Sequence, residues 1–226
     1  QKMHWWIEQP DILAGRDLQG GGTWFGVHRN GRMAAVTNFR DAVPPSGRRP
    51  SRGELITRFL AGSMSPDDYV RGIDAERYAG FNLLVADTRE LAYVSNRAER
   101  GGALGTGIYG VANATLDTPW PKVEKTKAAL GNLLNNGDVN ESALLRLLDD
   151  RSRAPARDLD TGGMAFDKAH ALSAPFIVMP DYGTRCSTVL LRDSNGRCRV
   201  VEKRFSNDGS SSGQSEFAFQ LASPGA

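Results

Sequence analysis

The chain has 226 residues, a formal net charge of +2, 40% hydrophobic residues and 24% charged residues. This composition is typical of a globular protein, and the small net charge gives no strong field to attract nucleic acid or an anionic membrane surface. No stretch approaches the about 18 consecutive apolar residues of a membrane helix. The sequence therefore predicts a protein with no nucleic-acid partner and no integral membrane segment.

Two β-rich runs near the N-terminus, residues 22–29 and 32–39, are separated by Asn30-Gly31. Asn-Gly between two such runs is typical of a tight hairpin turn. Both runs are therefore predicted to be strands.

Two short helices are predicted to follow. Ser51 with Glu54 three residues later has the spacing of a capping box, and Gly62 is placed to end that helix. Ser65 followed by Pro66 predicts the start of a second helix, because proline is favoured at the first helical position.

The rest of the chain combines β-rich runs bounded by turn residues with two helical patterns. The predicted strands are 81–87, 91–96, 107–113, 175–179, 184–192 and 197–205, with a last strand through Phe217, Phe219 and Leu221 in a polar tail, 207–226. The predicted helices lie near 122–134 and 144–150, and residues 151–170 are predicted to be irregular. Hairpin-joined strands that are segregated from helices predict one α+β domain, 1–226, with antiparallel sheets.

Two cysteines, Cys186 and Cys198, flank a predicted hairpin turn at 193–196. In that register they lie on opposite strands several residues apart, which exceeds the about 7 Å Cα separation that a disulfide allows. Both are predicted to be free thiols. Free thiols favour a reducing compartment, so a cytoplasmic location is expected.

Metal and cofactor motifs are absent from the sequence. The three histidines, His4, His28 and His170, are widely separated and lack metal-ligand spacing. Neither glycine-rich segment, 20–22 or 101–107, has the context of a dinucleotide or phosphate loop. The sequence therefore predicts no metal and no cofactor.

Polar side chains cluster at the predicted strand ends and in one predicted strand. They are Asn38 and Arg40 after the first hairpin, Asn113 at the end of 107–113, Arg185 inside 184–192, and Arg16-Asp17 before the first strand. Amides and guanidinium groups in such places suit an oxyanion or carboxylate site, because they supply fixed donors. The alternative is that each caps a turn or forms a surface ion pair.

Six ordered blocks of the sequence resemble the NRDE family, also called the transport and Golgi organisation protein 2 family. The blocks are ILAGRDLQGGGTWFGV (12–27), AAVTNFRD (34–41), SRGEL (51–55), GFNLLVAD (80–87), YGVANATLDTPWPKV (109–123) and YGTRCSTVLL (182–191). The resemblance spans nearly the whole chain.

The resemblance implies an N-terminal-nucleophile (Ntn) hydrolase-like fold, in which two antiparallel sheets stack between helical layers. In enzymes of that fold the first side chain attacks an amide, and its own α-amine acts as the base. Family members typically begin Met-Cys and carry Asn-Arg-Asp-Glu soon afterwards, whereas this chain begins at Gln1. The only similar string, Asn96-Arg97-Ala98-Glu99, lies mid-chain. The sequence is therefore expected to begin just past the signature, without the nucleophile.

The resemblance also implies roles for individual residues. Asn38 is the expected oxyanion donor, Asn113 orients the substrate or the nucleophile's amine, and Arg185 polarises the site or holds a carboxylate. The residues expected to line the pocket are Arg16, Asp17, Thr23, Trp24, Arg40 and Trp120.

Two functions remain open from the sequence. The first is a cysteine Ntn-type hydrolase or acyltransferase that acts on an amide or acyl bond of a small molecule. The second is a non-catalytic binding or trafficking protein for haem, lipid or acyl compounds, with a role in transport and Golgi organisation. Fold alone does not decide between them.

Overall fold

The computed structural model describes residues 1–41, 47, 49–98 and 101–222, which form two compact units. The first comprises Gln1–Gly107, Val111–Leu116 and the end of the chain from Gln220. The second comprises Ile108–Gly110 and Asp117–Phe219. Each unit contains helices and an antiparallel sheet, so the predicted α+β class is confirmed.

The first unit is built on a sheet of seven strands within the described residues. The strands are β1 (His4–Trp5), β2 (Ile12–Ala14), β3 (Phe25–His28), β4 (Met33–Asn38), β5 (Phe81–Ala86), β6 (Leu91–Ser95) and β7 (Gly102–Leu104). Their order in the sheet is their order in the chain, and every neighbouring pair is antiparallel. The predicted Asn30-Gly31 hairpin joins β3 to β4, with Gly31 at a φ of 93°.

Helices α1 (Gly53–Ala61) and α2 (Pro66–Arg71) lie where the sequence predicts them. The Ser65 hydroxyl accepts a hydrogen bond from the Asp68 N–H at 3.1 Å and caps α2. The capping box predicted for α1 is wrong, because the carboxylate of Glu54 accepts a hydrogen bond from the Tyr78 hydroxyl instead. A tertiary partner has replaced the local cap.

The helices of the first unit and one face of its sheet form a single apolar core. Alternate residues of β5, Phe81 and Leu83, belong to this core, so Asn82 between them faces the other side of the sheet. The cluster consists of Trp6, Ile12, Ala14, Ala34, Leu55, Ile56, Phe59, Leu60, Val70, Tyr78, Phe81, Leu83, Val85 and Ala92.

The second unit contains three α-helices and a three-stranded sheet among the residues described. They are α3 (Pro121–Asn136), α4 (Glu141–Leu148), α5 (Phe166–Leu172), β8 (Cys186–Arg192), β9 (Arg197–Phe205) and β10 (Ser211–Gln220). In the β8–β9 hairpin Cys198 pairs with Arg192, whereas Cys186 pairs with Arg204 at the far end. Both cysteines are free, as predicted.

Several predicted elements are wrong. Residues 107–113 contain no strand, and 175–179 make only an isolated bridge, Val178 to Gly183. Arg185 precedes β8 rather than lying inside a strand, and α5 begins within the stretch predicted to be irregular. Strands β1, β2 and β7 were not predicted, because strands of two or three residues are too short to show a period.

No helix in the described ranges is long and apolar enough to cross a membrane.

Candidate functional site

The segment Val111–Leu116, here called the strap, is held by side chains of the first sheet rather than by strand pairing. The Thr37 hydroxyl donates to the Ala112 carbonyl at 2.7 Å, and the Asn82 amide donates to the Ala114 carbonyl at 2.9 Å. The Leu116 N–H donates to the Tyr93 hydroxyl at 3.0 Å. At the end of the run 107–113 the Ala112 carbonyl therefore bonds to a side chain instead of to a neighbouring strand.

The three side chains that hold the strap also bond to one another. The Asn82 amide donates to the Thr37 hydroxyl at 3.1 Å, and the Tyr93 hydroxyl donates to the Asn82 oxygen at 2.8 Å. Asn82 is 1% exposed and Tyr93 is 5% exposed. Burial raises the pKa of Tyr93, so its hydroxyl keeps the proton that it donates. Because every polar atom of the buried amide is satisfied, the network fixes the strap in one position.

The strap brings Asn113 to the end of β4, beside two other predicted site residues. The Asn113 amide donates to the Asn38 carbonyl at 2.8 Å, and the Arg40 N–H donates to the Asn113 carbonyl at 2.7 Å. The structure therefore places Asn38, Arg40 and Asn113 together, although Asn113 lies on the strap and not at a strand end.

The side-chain amide of Asn38 is exposed, and no group in the described part of the chain hydrogen bonds to it. Its two N–H donors can therefore point toward a carbonyl or carboxylate oxygen of a ligand. The backbone around it is held in place, because the Phe39 N–H donates to the Gly80 carbonyl at 2.9 Å.

An ion pair supports the chain just beyond this amide cluster. Both carboxylate oxygens of Asp41 accept from the Arg97 guanidinium, at 2.7 and 3.0 Å. A Cβ on Gly80 would lie 2.5 Å from the Asp41 carboxylate and 2.9 Å from the Phe39 Cβ, so a larger residue would displace this carboxylate. Arg97 of the mid-chain string that resembles the family signature thus has a structural partner here, and Asn96 likewise bonds to the Phe81 N–H at 2.9 Å.

Three of the predicted pocket residues make local contacts. Arg16 pairs with Glu8, and its guanidinium lies 4.2 Å from the centre of the Trp6 ring. The Asp17 carboxylate accepts from two backbone N–H groups of the following turn, at 2.9 and 3.0 Å, and these bonds lower its pKa. Thr23 is buried and donates to the Phe25 carbonyl at 2.9 Å. The contacts of Arg16 and Asp17 are those of the alternative, a surface ion pair and a turn cap.

Trp24 differs from these three because much of its side chain is accessible. It is 39% exposed, and a Cβ on Gly15 would lie 2.6 Å from its ring, so the indole packs on bare backbone. Its carbonyl accepts from the Val36 N–H at 3.0 Å, two residues before Asn38. Trp24 therefore lies at the same end of the β3–β4 pair as the exposed amide.

Two predicted residues belong to the second unit. The exposed Arg185 guanidinium donates to the side chain of Asn207, and the Arg185 carbonyl accepts from the Phe205 N–H at 2.9 Å. The Trp120 ring lies 5.5 Å from the Lys122 ammonium, which donates to the Leu172 carbonyl at 3.0 Å.

Sequence reasoning missed Thr37, Asn82 and Tyr93. The available signal was Asn82, an amide in the otherwise apolar run FNLLVA, which an ordinary buried strand would not favour. In the described ranges no three His, Cys, Asp or Glu side chains are grouped so that they could hold a metal.

The fold and the amide cluster define an α+β protein with a donor-rich end of its larger sheet. Comparison with known sequences places it further: the sequence model of the family Transport and Golgi organisation 2 matches residues 1–207, and the chain belongs to that family. It is 33% identical to a Transport and Golgi organization protein 2 homolog of Bos taurus in an alignment of length 217 that covers 88% of this chain and 78% of that protein. The Homo sapiens homolog is 31% identical, with the same coverage of both chains.

Proposed function

We propose that the amide cluster at the end of β4 is the donor side of an acyl or amide site of the Ntn-hydrolase type. The observation that carries the proposal is the exposed Asn38 amide, unbonded within the described residues and held beside Asn113 by a buried network. Fixed N–H donors of this kind stabilise the negative charge that develops on a carbonyl oxygen under nucleophilic attack.

Burial on both faces of the larger sheet supports the layered fold that this function requires. Ile12 and Ala14 of β2 belong to the core beneath the helices, yet Leu13 between them is 0% exposed. A sheet that is buried on both faces is expected in the αββα arrangement of Ntn hydrolases.

In the proposed reaction the thiolate of an N-terminal cysteine attacks the carbonyl carbon of the substrate. The cysteine's own α-amine takes the proton of the thiol, and the Asn38 amide stabilises the oxyanion. The C–N bond then breaks as the leaving amine takes that proton, and water hydrolyses the resulting thioester to release the acid and restore the thiol. Asn113 orients the reacting groups through its remaining amide atoms. The role that the resemblance implies for Arg185, which belongs to the second unit, stays a prediction.

The test is turnover of a panel of small amides and thioesters by protein that bears an N-terminal cysteine. Asn38→Ala is expected to lower turnover about 10²- to 10³-fold, the usual effect of removing one oxyanion donor. Its stability should not change, because the removed amide has no described partner. Asn135→Ala, which removes an exposed amide on α3, is the matched control. Equal turnover in the Asn38 variant and the control would contradict the assignment.

The second candidate is a non-catalytic carrier of haem, lipid or acyl compounds. It is favoured by the absence of a cysteine among the described residues of the first unit, which carries the amide cluster, since both Cys186 and Cys198 belong to the second unit. A haem titration at micromolar protein separates the two functions, since a carrier of haem shifts the Soret band, and the absence of a shift would contradict a haem role. The two free thiols support a cytoplasmic site of action for either function.

A further inference from the structure

A second concave site lies in the first unit, separate in sequence from the amide cluster. It is a cavity of about 380 Å³ formed by α1, α2 and the 3₁₀ turn Ala75–Arg77. This volume is within the range of about 300 to 1,000 Å³ that is typical of small-ligand pockets.

The inner wall of the cavity is apolar. Leu55 is 1% exposed and Ile73 lies beside it, while two tyrosine rings, Tyr69 and Tyr78, complete the wall. The Tyr69 hydroxyl donates to the Leu55 carbonyl at 2.6 Å, and the Tyr78 hydroxyl donates to Glu54. Tyr78 is only 2% exposed, so the aromatic surface that a ligand can reach is the ring of the half-buried Tyr69, whose hydroxyl is engaged. Burial raises the pKa of Tyr69 to about 12, so its hydroxyl adds no negative charge.

The rim of the cavity carries two arginines, Arg58 and Arg77, whose guanidinium groups make few contacts with other described side chains. The Arg77 guanidinium makes no hydrogen bond or ion pair with any residue in the described part of the chain. Arg58 is 62% exposed at its side chain and reaches only 4.0 Å from Glu54, the limit for an ion pair. Asp74 is the one carboxylate among the residues lining this cavity.

We propose that this cavity binds a small monocarboxylate with an apolar, aromatic body, its carboxylate held by Arg77 and Arg58. The guanidinium fork matches a carboxylate in geometry and charge, and the Tyr69 ring and the Ile73 side chain match the apolar body. The proposal is independent of the acyl site, because the two sites share no residue.

Calorimetric titration with phenylacetate, and with its neutral analogue phenylacetamide, tests the proposal. Phenylacetate should bind at least about tenfold more tightly than the amide, since only the acid can pair with the guanidinium groups. Arg77→Gln should weaken phenylacetate about fivefold and leave phenylacetamide unchanged. Arg89→Gln, in the exposed turn between β5 and β6, is the matched control and should change neither.

Two further variants fix the ligand class and its location. Asp74→Asn should tighten phenylacetate binding by removing a like charge from the rim, whereas weaker binding would overturn the anion assignment. Met64→Trp, at a position 50% exposed at the mouth, should weaken both ligands by filling the cavity. No heat of binding up to about 10 mM phenylacetate, or equal affinities for acid and amide, would overturn the proposal. Asn38→Ala should leave this binding unchanged, so failure here is distinct from failure of the acyl site.

Discussion

Replacing Tyr93 by phenylalanine tests whether the buried network holds the strap. The change removes only the hydroxyl, which donates to Asn82 at 2.8 Å and accepts from the Leu116 N–H at 3.0 Å. The Asn82 oxygen is fully buried, and its lost partner should cost about 2 kcal/mol; the partly buried Leu116 N–H adds about 1 kcal/mol. We therefore expect Tyr93→Phe to lower the free energy of unfolding by about 3 kcal/mol.

Urea denaturation measures this loss, and for a chain of this size it corresponds to a fall in Tm of roughly 6 to 12 °C. Hydrogen exchange adds a local reading, because the Leu116 amide should lose protection before the strands do. Tyr182→Phe is the control: that side chain is 58% exposed and its hydroxyl has no partner among the described residues, so its effect should stay within about 0.5 kcal/mol. A loss below about 0.5 kcal/mol in Tyr93→Phe, with Leu116 protection unchanged, would refute the network's role.

Three further predictions follow from single sites. Asp117 has a φ of 55° and pairs with Lys127 at 2.7 Å. Asp117→Ala should therefore lower the free energy of unfolding, measured by urea denaturation, by about 2 kcal/mol, whereas Asp117→Gly should cost about 1 kcal/mol less because glycine adopts this φ without strain. The reverse order would contradict the strain argument. Cys198 is 3% exposed and burial raises its pKa, so a thiol reagent at pH 8 should label it much more slowly than the half-buried Cys186, and equal rates would count against this burial. The pKa of Asp17 is lowered by backbone hydrogen bonds, so its contribution to stability is present above the unfolded pKa of about 3.9 and is lost as the pH falls through the lower folded value. Asp17→Asn should make the acid limb of a stability-against-pH curve shallower, and an unchanged slope would refute this contribution.

Local sequence signals predicted the elements whose structure depends on near neighbours. The Asn30-Gly31 turn sets the β3–β4 pairing, and Ser65 caps α2 with its own hydroxyl. The 193–196 turn places Cys198 opposite Arg192, which is why the two free thiols could be predicted from register alone. In each case the deciding contact spans only a few residues.

Elements that depend on distant partners could not be predicted in this way. Ser51 and Glu54 have the spacing of a capping box, but Glu54 bonds to Tyr78 from another part of the chain. The run 175–179 is apolar enough for a strand. In the structure, however, the Ile177 N–H donates to the Thr184 hydroxyl and the Ile177 carbonyl accepts from the Thr184 N–H, so these groups close a local loop instead of pairing with a described strand. Pattern alone does not show which partner a donor or carbonyl will find.

The candidate site shows the same division. The resemblance implied a catalytic set of Asn38, Asn113 and Arg185, with Arg40 among the residues that line the pocket. The structure brings Asn38, Asn113 and Arg40 together, with Asn113 carried by the strap, whereas Arg185 belongs to the second unit.

The strap explains how an irregular segment can hold a site residue as firmly as a strand would. The strap carbonyls of Ala112 and Ala114 accept hydrogen bonds from the side chains of Thr37 and Asn82. Because these two residues pair directly across β4 and β5, the pairing of the two strands fixes the position of the strap. A change that shifts this register would therefore move Asn113 relative to Asn38 without touching either side chain. A buried amide without hydrogen-bond partners would destabilise the sheet. In a family member whose strand β5 is otherwise apolar, an amide at the position of Asn82 therefore predicts that a strap segment is bonded to it.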